Sequence, residues 1–248
     1  MSKLEIKPYI LDEQVVDDFS YLDEPLPRPP FRMFVWGRVK SGKTTFSLRL
    51  ITDLLCHPDG SSIFDKIYIF SPSALFDKTF RVLTKYDKFN VDNMFLTNIL
   101  NKELIDKEII GQPNEGKNIL VLIDDFANSK KELQDSVMYD LFFRSRHVNT
   151  SIIFTSQYFY QCPKQERQQM NYMVDFDQDD NSYILKQELS NSRNKIEDMP
   201  EIFDRAFEGN IDKGEHNFLY VDRVYGKFYR NLDKEIKKNT QIKEDDRK

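Results

Sequence analysis

Eight consecutive residues constrain this chain more than any other feature. Gly37, Arg38, Val39, Lys40, Ser41, Gly42, Lys43 and Thr44 fit the pattern GxxxxGK[ST]. They stand between a short apolar run, FRMFVWG, interrupted by Arg32, and a helical pattern carried by Phe46, Leu48, Leu50, Ile51 and Leu54. Strand, glycine-bearing loop and helix in that order make a phosphate cradle. The glycines let successive backbone N–H groups turn toward phosphate oxygens, and the helix N-terminus adds its positive dipole end. Lys43 is expected to reach the β- and γ-phosphates of ATP and the Thr44 hydroxyl to bind Mg2+, with Thr45 next in the cradle.

Such a loop needs a carboxylate at the end of a neighbouring buried strand. Ile119–Ile123 (ILVLI) is a continuous aliphatic run of the kind that suits a parallel strand covered on both faces, and Asp124 and Asp125 follow it. Asp124 is the expected holder of the Mg2+ shell, and Asp125 the group that polarises the attacking water. A second apolar run, Ser151–Thr155 (SIIFT), leads into Ser156 and Gln157. An amide there can orient water or sense the γ-phosphate through one donor and one acceptor, or it can simply close the strand. Arg144 and Arg146 end the preceding helical pattern, where basic residues offset the helix dipole. The sharper alternative is an arginine finger that reaches the nucleotide of a neighbouring subunit, which requires an oligomer.

Other motifs read more plainly. Cys56 beside His57 and His147 beside Arg146 lack metal-ligand spacing. Lys130 and Lys131 suit a solvated helix start or a phosphate contact, and Tyr158, Phe159 and Tyr160 suit burial at a sheet edge or stacking on a partner. Two distant cysteines supply neither a disulfide framework nor a four-thiol zinc site. The first residues, MSKLEIKPYI, do not read as a secretory signal, and no stretch reaches the length of a bilayer span, so an intracellular protein without a membrane partner is expected.

Hydrophobic residues make up 40% of the 248 and charged residues 31%, enough apolar material for one packed α/β domain. The net charge of −5 is located rather than spread: residues 1–24 carry seven acids against Lys3 and Lys7, which leaves the rest neutral. One subunit alone therefore should not grip a polyanion strongly. The acidic leader ends in Pro25, Pro27, Pro29 and Pro30, so residues 1–30 read as an arm. The ATPase domain is expected over 31–232 and a charged, frayed tail over 233–248. Within the domain, strands are expected at Lys66–Phe70, Asn93–Thr97 and Tyr172–Phe176, and helices over 98–112 and from about Lys131 to His147. Helical patterns surround Ile184 and Phe203. The runs FLYVD from Phe218 and KFYRN from Lys227 flank Tyr225 and Gly226 as a candidate hairpin. Strands alternating with helices indicate a mostly parallel sheet flanked by helices.

Taken together, GRVKSGKTT from Gly37, KIYIFSPS from Lys66, ILVLIDD from Ile119 and RHVNTSIIFTSQ from Arg146 resemble the genome-packaging ATPases of large nucleocytoplasmic DNA viruses and virophages, within the FtsK/HerA superfamily. The resemblance covers about residues 31–180. It implies a RecA-like P-loop fold, Lys43 and Thr44 as the Walker A pair, Asp124 as the Mg2+ carboxylate, Gln157 as sensor and Arg146 as the arginine acting in trans. It further implies a homo-oligomeric, hexameric ring that pumps double-stranded DNA irrespective of sequence, capsid or portal-like vertex partners, and a place in the viral factory or virion. In one respect the chain departs from the pattern: cellular members usually place Glu after the metal-binding Asp, where this chain has Asp125.

Three other readings use the same loop. Another FtsK/HerA-type pump or helicase keeps all of these residues. A nucleoside kinase of thymidine-kinase type also pairs a P-loop with strand-end acids, but usually carries a zinc-binding cysteine set that two distant cysteines cannot supply. A nucleotide-gated scaffold would bind ATP without turnover.

Overall fold

The aliphatic runs become the centre of a nine-stranded sheet. The computed structural model describes residues 19–85, 93–111, 116–126, 135–177, 185, 188–189, 199–210 and 216–237. In chain order the strands are β1 (Arg32–Trp36), β2 (Lys66–Phe70), β3 (Met94–Thr97), β4 (Ile119–Asp124), β5 (Thr150–Ser156), β6 (Tyr172–Asp175), β7 (Leu219–Asp222), β8 (Lys227–Arg230) and β9 (Lys234–Glu235). They lie side by side as β3-β2-β4-β5-β1-β6-β7-β8-β9. From β3 to β6 every pairing is parallel, and from β6 to β9 every pairing is antiparallel.

Every residue of β1, β4 and β5 is buried, because helices cover both faces of the sheet. Side chains of a strand alternate between faces, and the two apolar clusters follow that alternation. Phe34, Trp36, Val121 and Ile123 enter one cluster, with Met138, Leu141 and Phe142 from the helix Ser136–Arg144. Met33, Val35, Leu120 and Leu122 enter the other, with Leu48, Leu50 and Ile51 from the helix that begins at Lys43. Full burial of each such side chain contributes about 1.5–3 kcal/mol.

The expected strands at 66–70, 93–97, 119–123, 151–155 and 172–176 are present with ends shifted by a residue or so. The expected helix over 98–112 occupies Lys102–Ile110, started by Asn101, whose side chain accepts from the Leu104 N–H at 3.0 Å. Asp135 caps Ser136–Arg144 in the same way, accepting from the Val137 N–H at 3.0 Å. A short 3-10 turn, Ser145–Val148, then ends on Asn149 in the left-handed region, and β5 starts at once. Lys130, Lys131 and most of the pattern around Ile184 lie outside the described residues, as do 1–18 and 238–248.

Two ends of the chain differ from expectation. From Phe19 onward the supposed arm packs on the domain: Phe19 and Leu22 are buried in the second cluster, Tyr220 donates its hydroxyl to the Pro25 carbonyl at 2.9 Å, and Lys227 pairs with Glu24 at 2.6 Å. Proline breaks helices but leaves an extended backbone free to lie on a surface. At the other end Lys234 and Glu235, expected to fray, pair with β8 as β9, and the buried Ile236 anchors them.

Candidate functional site

Four parallel strand ends converge on the loop that follows β1. The loop geometry depends on its glycines. Gly37 has φ +150°, and a Cβ built on it would stand 2.6 Å from the Cβ of Phe176, so no larger residue fits. Gly42 has φ +106° and caps the helix Lys43–Arg49 with no side-chain hydrogen bond, which leaves the first helical N–H groups to an incoming anion. Lys40 is also left-handed, at φ +65°. Between them the buried Ser41 hydroxyl has no partner among the described residues. Unpaired donors around a glycine-framed loop fit the triphosphate of ATP.

Lys43 is the first residue of that helix and only 6% exposed. Its ammonium donates to the carbonyls of Gly37 at 2.7 Å and Arg38 at 2.9 Å, folding across the loop. Burial pushes its pKa below the ordinary lysine value, partly offset by the charges of Asp125 and Asp124. The next residue, Thr44, donates to Asp124 Oδ1 at 3.1 Å.

Asp124 ends β4 and is 1% exposed. Oδ1 also accepts from the Thr155 hydroxyl at 2.8 Å, and Oδ2 accepts from the Ser71 hydroxyl at 2.8 Å. Burial raises its pKa despite these three hydroxyls, and the charge of Asp125 adds to the rise. A bound dication would reverse that bias. Hydroxyl and carboxylate oxygens are the donors that Mg2+ prefers, and this ion is commonly held by one or two carboxylates together with substrate phosphates. Thr44 and Asp124 therefore fit the metal, and Gly37–Thr45 fit the nucleotide.

Asp125 follows immediately at φ +53°, a conformation uncommon outside glycine. Its N–H is held by Thr155, through the hydroxyl at 3.1 Å and the carbonyl at 3.3 Å. The turn aims the carboxylate at Gln157, just past β5, whose Nε2 donates to Asp125 Oδ2 at 2.8 Å. Oδ1 is buried without a partner among the described residues. Gln161 holds the next turn by accepting from both the Gln157 and Tyr158 N–H groups, at 3.0 and 3.2 Å.

Lys43, Thr44, Asp124, Asp125 and Gln157 are thus brought together. Arg146 is not among them. It precedes β5, at the opposite end of the strand from Gln157, and lies close enough to Arg32 at the start of β1 for its charge to disfavour that guanidinium, second to burial. Arg32 itself donates to the Phe142 carbonyl at 3.0 Å.

Two members of the site escaped the sequence reading. Ser71 and Thr155 are unremarkable as single residues, but strand register places them beside Asp124. Asp124 pairs with Thr155, and Phe70 with Ile123, so Ser71 falls level with Asp124. The available signal was a polar residue closing each of three apolar strands.

Residues 18–212 match the family model described as Poxvirus A32 protein. No curated protein matches the chain. Among solved structures, the genome packaging NTPase B204 from Sulfolobus turreted icosahedral virus 2 superposes with a TM-score of 0.55 in its complex with ATP-gammaS and 0.54 in its complex with AMP. Each shares 13% identity and covers 83% of this chain and 98% of that one. B204, the DNA-packaging ATPase from Sulfolobus turreted icosahedral virus, superposes with a TM-score of 0.52 at 12% identity, over 82% of this chain and 97% of that one. At such identities the likeness establishes a common fold: an α/β P-loop fold with a largely parallel central sheet between helices.

Proposed function

Starting from the fact that the chain belongs to the Poxvirus A32 protein family, we propose that it is an ATP-hydrolysing motor of the FtsK/HerA type that drives double-stranded DNA into a capsid. The observation that carries this reading is the convergence of Lys43, Thr44, Asp124, Asp125 and Gln157 on one end of the parallel sheet. The fold shared with a DNA-packaging ATPase supports the choice of polymer.

In this reading Gly37, Arg38, Val39, Lys40, Ser41, Gly42, Lys43, Thr44 and Thr45 receive the triphosphate. Lys43 leaves the carbonyls of Gly37 and Arg38 for the β- and γ-phosphates. Thr44 and Asp124 hold Mg2+, which when bound supplies charge neutralisation at the phosphates. Asp125 takes the proton of the attacking water, and Gln157 keeps its carboxylate in place through the amide bond to Oδ2. Arg146, at the other end of its own strand, serves a neighbouring subunit. The motor is therefore a homo-oligomeric ring, with six subunits as in the superfamily, and works with capsid or portal-like vertex proteins in the viral factory or virion. A ring also solves the problem of charge: weak grips on DNA phosphate by neutral subunits add up when several act on one duplex.

The test is ATPase activity with and without double-stranded DNA, alongside mass measurement in ATP. DNA stimulation together with a multimer is expected. ATP binding without phosphate release would replace the motor by a nucleotide-gated scaffold, and a phosphorylated nucleoside product would replace it by a kinase.

A further inference from the structure

The site assigned so far reads only the phosphate end of a nucleotide, and the sheet order leaves one flank of the loop for the other end. Asp124 ends β4, Asp125 follows it and Gln157 follows β5, and both strands lie on one side of β1. A nucleotide with its γ-phosphate directed there would carry its ribose and base to the opposite side of β1, over the end of β6. Three phenylalanine rings meet at that place. Phe176 follows β6, donates its N–H to the Trp36 carbonyl at 2.9 Å, and brings its ring within 3.5 Å of where a Gly42 side chain would start. Phe46 stands one turn into the helix that the loop begins. Phe218, at the start of β7, packs on both, with ring centroids 4.7 Å from Phe176 and 5.1 Å from Phe46, while Phe46 and Phe176 are 5.8 Å apart. All three remain partly exposed at the rim of the core.

We propose that Phe46, Phe176 and Phe218 form the nucleobase platform of this chain, and that it reads the base as a flat aromatic surface. The proposal rests on the ATP-site reading above. A phenyl ring offers a π face and no hydrogen-bonding group, so the platform favours large stacking area over a particular pattern of donors and acceptors. Purines are bound better than pyrimidines, and adenine and guanine are treated alike. The strand order explains why Phe218 takes part although it is far away in sequence: β7 returns antiparallel beside β6, which sets its first residues next to the last residues of β6.

The experiment measures binding of ATP, GTP, CTP and inorganic tripolyphosphate, each with Mg2+, to the full chain and to its Phe218→Ala and Phe218→Tyr variants. Loss of a stacking surface is expected to weaken ATP and GTP by between about fivefold and about a hundredfold in Phe218→Ala. Tripolyphosphate binding should be unchanged, which shows that the loop is still folded, and Phe218→Tyr should restore ATP. Equal losses for ATP and tripolyphosphate, or no loss for either, would overturn the platform while leaving the phosphate site standing. Failure of the unmodified chain to bind any of the four would instead remove the ATP-site reading itself.

Discussion

The Gln157 amide nitrogen donates to Asp125 Oδ2 at 2.8 Å, and the other oxygen of that carboxylate is buried without a partner among the described residues. One oxygen is thus fixed by the strand-end amide, and the other is left to accept a proton. Gln157→Ala should lower kcat for ATP hydrolysis by about a hundredfold, the effect of misplacing a general base, while ATP affinity stays within about threefold. Phosphate release and binding of a fluorescent ATP analogue check the two halves. An equal loss in both would assign Gln157 to nucleotide binding.

Lys43→Met should abolish phosphate release yet stabilise the protein in the absence of added nucleotide. Burial lowers the Lys43 pKa, so the folded chain binds that proton less well than the unfolded chain. The cost is constant below the folded pKa and disappears as pH rises toward the unfolded value near about 10.4. The gain in Tm from Lys43→Met should therefore shrink at alkaline pH. A variant that melts below the parent at neutral pH would show that the bonds to Gly37 and Arg38 outweigh burial.

Thr155 holds Asp124 Oδ1 through its hydroxyl and Asp125 through its backbone carbonyl and hydroxyl. Thr155→Val keeps the shape and removes the hydroxyl, which should raise the Mg2+ concentration for half-maximal ATPase by about 10- to 100-fold. Thr155→Ser should recover most of it. Mg2+ titrations of the three proteins decide.

Asp175, at the end of β6, is fully buried, with Oδ1 accepting from the Asp177 N–H at 2.8 Å and Oδ2 unpartnered among the described residues. Burial pushes its pKa well above the usual carboxylate value. A raised pKa stabilises the fold below the unfolded value, near about 3.9, and that contribution is lost as pH rises through the folded one. Asp175→Asn keeps an acceptor for the Asp177 N–H and does not titrate. Its Tm relative to the parent should climb from pH 4 upward, and a flat difference would remove the explanation.

Arg146 and Gln157 bracket the same strand from opposite ends. Arg146→Ala and Lys43→Ala should each be inactive alone. Mixed, they should regain hydrolysis, because some interfaces combine an intact loop with an intact arginine. Mixed rings confirmed by mass but without activity would assign Arg146 to the dipole of its own helix.

What the residues disclosed in advance depended on how local the signal was. Ile119–Ile123 could be placed on paper because a strand buried on both faces must be apolar throughout, and Gly37–Thr44 because loop, helix start and lysine are contiguous. Ser71 and Thr155 could not, since their bond to Asp124 arises from register between strands some thirty to fifty residues apart in sequence. The burial of Phe19 and Leu22 was concealed by the acids and prolines around them, whose composition suggests an extended arm and says nothing of the surface on which it lies. The hairpin of β7 and β8 was visible in its turn, but its attachment to β6 was not. The position of Arg146 at the far end of β5 was implicit in the order helix, strand, glutamine.

The two residues of β9 close one margin of the sheet with an ammonium and a carboxylate, both exposed. A foreign strand adding to that margin would have to desolvate both charges, which is how natural sheets discourage edge-to-edge growth. A chain shortened to end before Lys234 would instead present β8, with Phe228 and Tyr229, as the outermost strand and lose the anchor of Ile236. Such a fragment keeps every residue of the phosphate site but leaves the edge of β8 unpaired, so the charged end guards the sheet against strand addition at that margin.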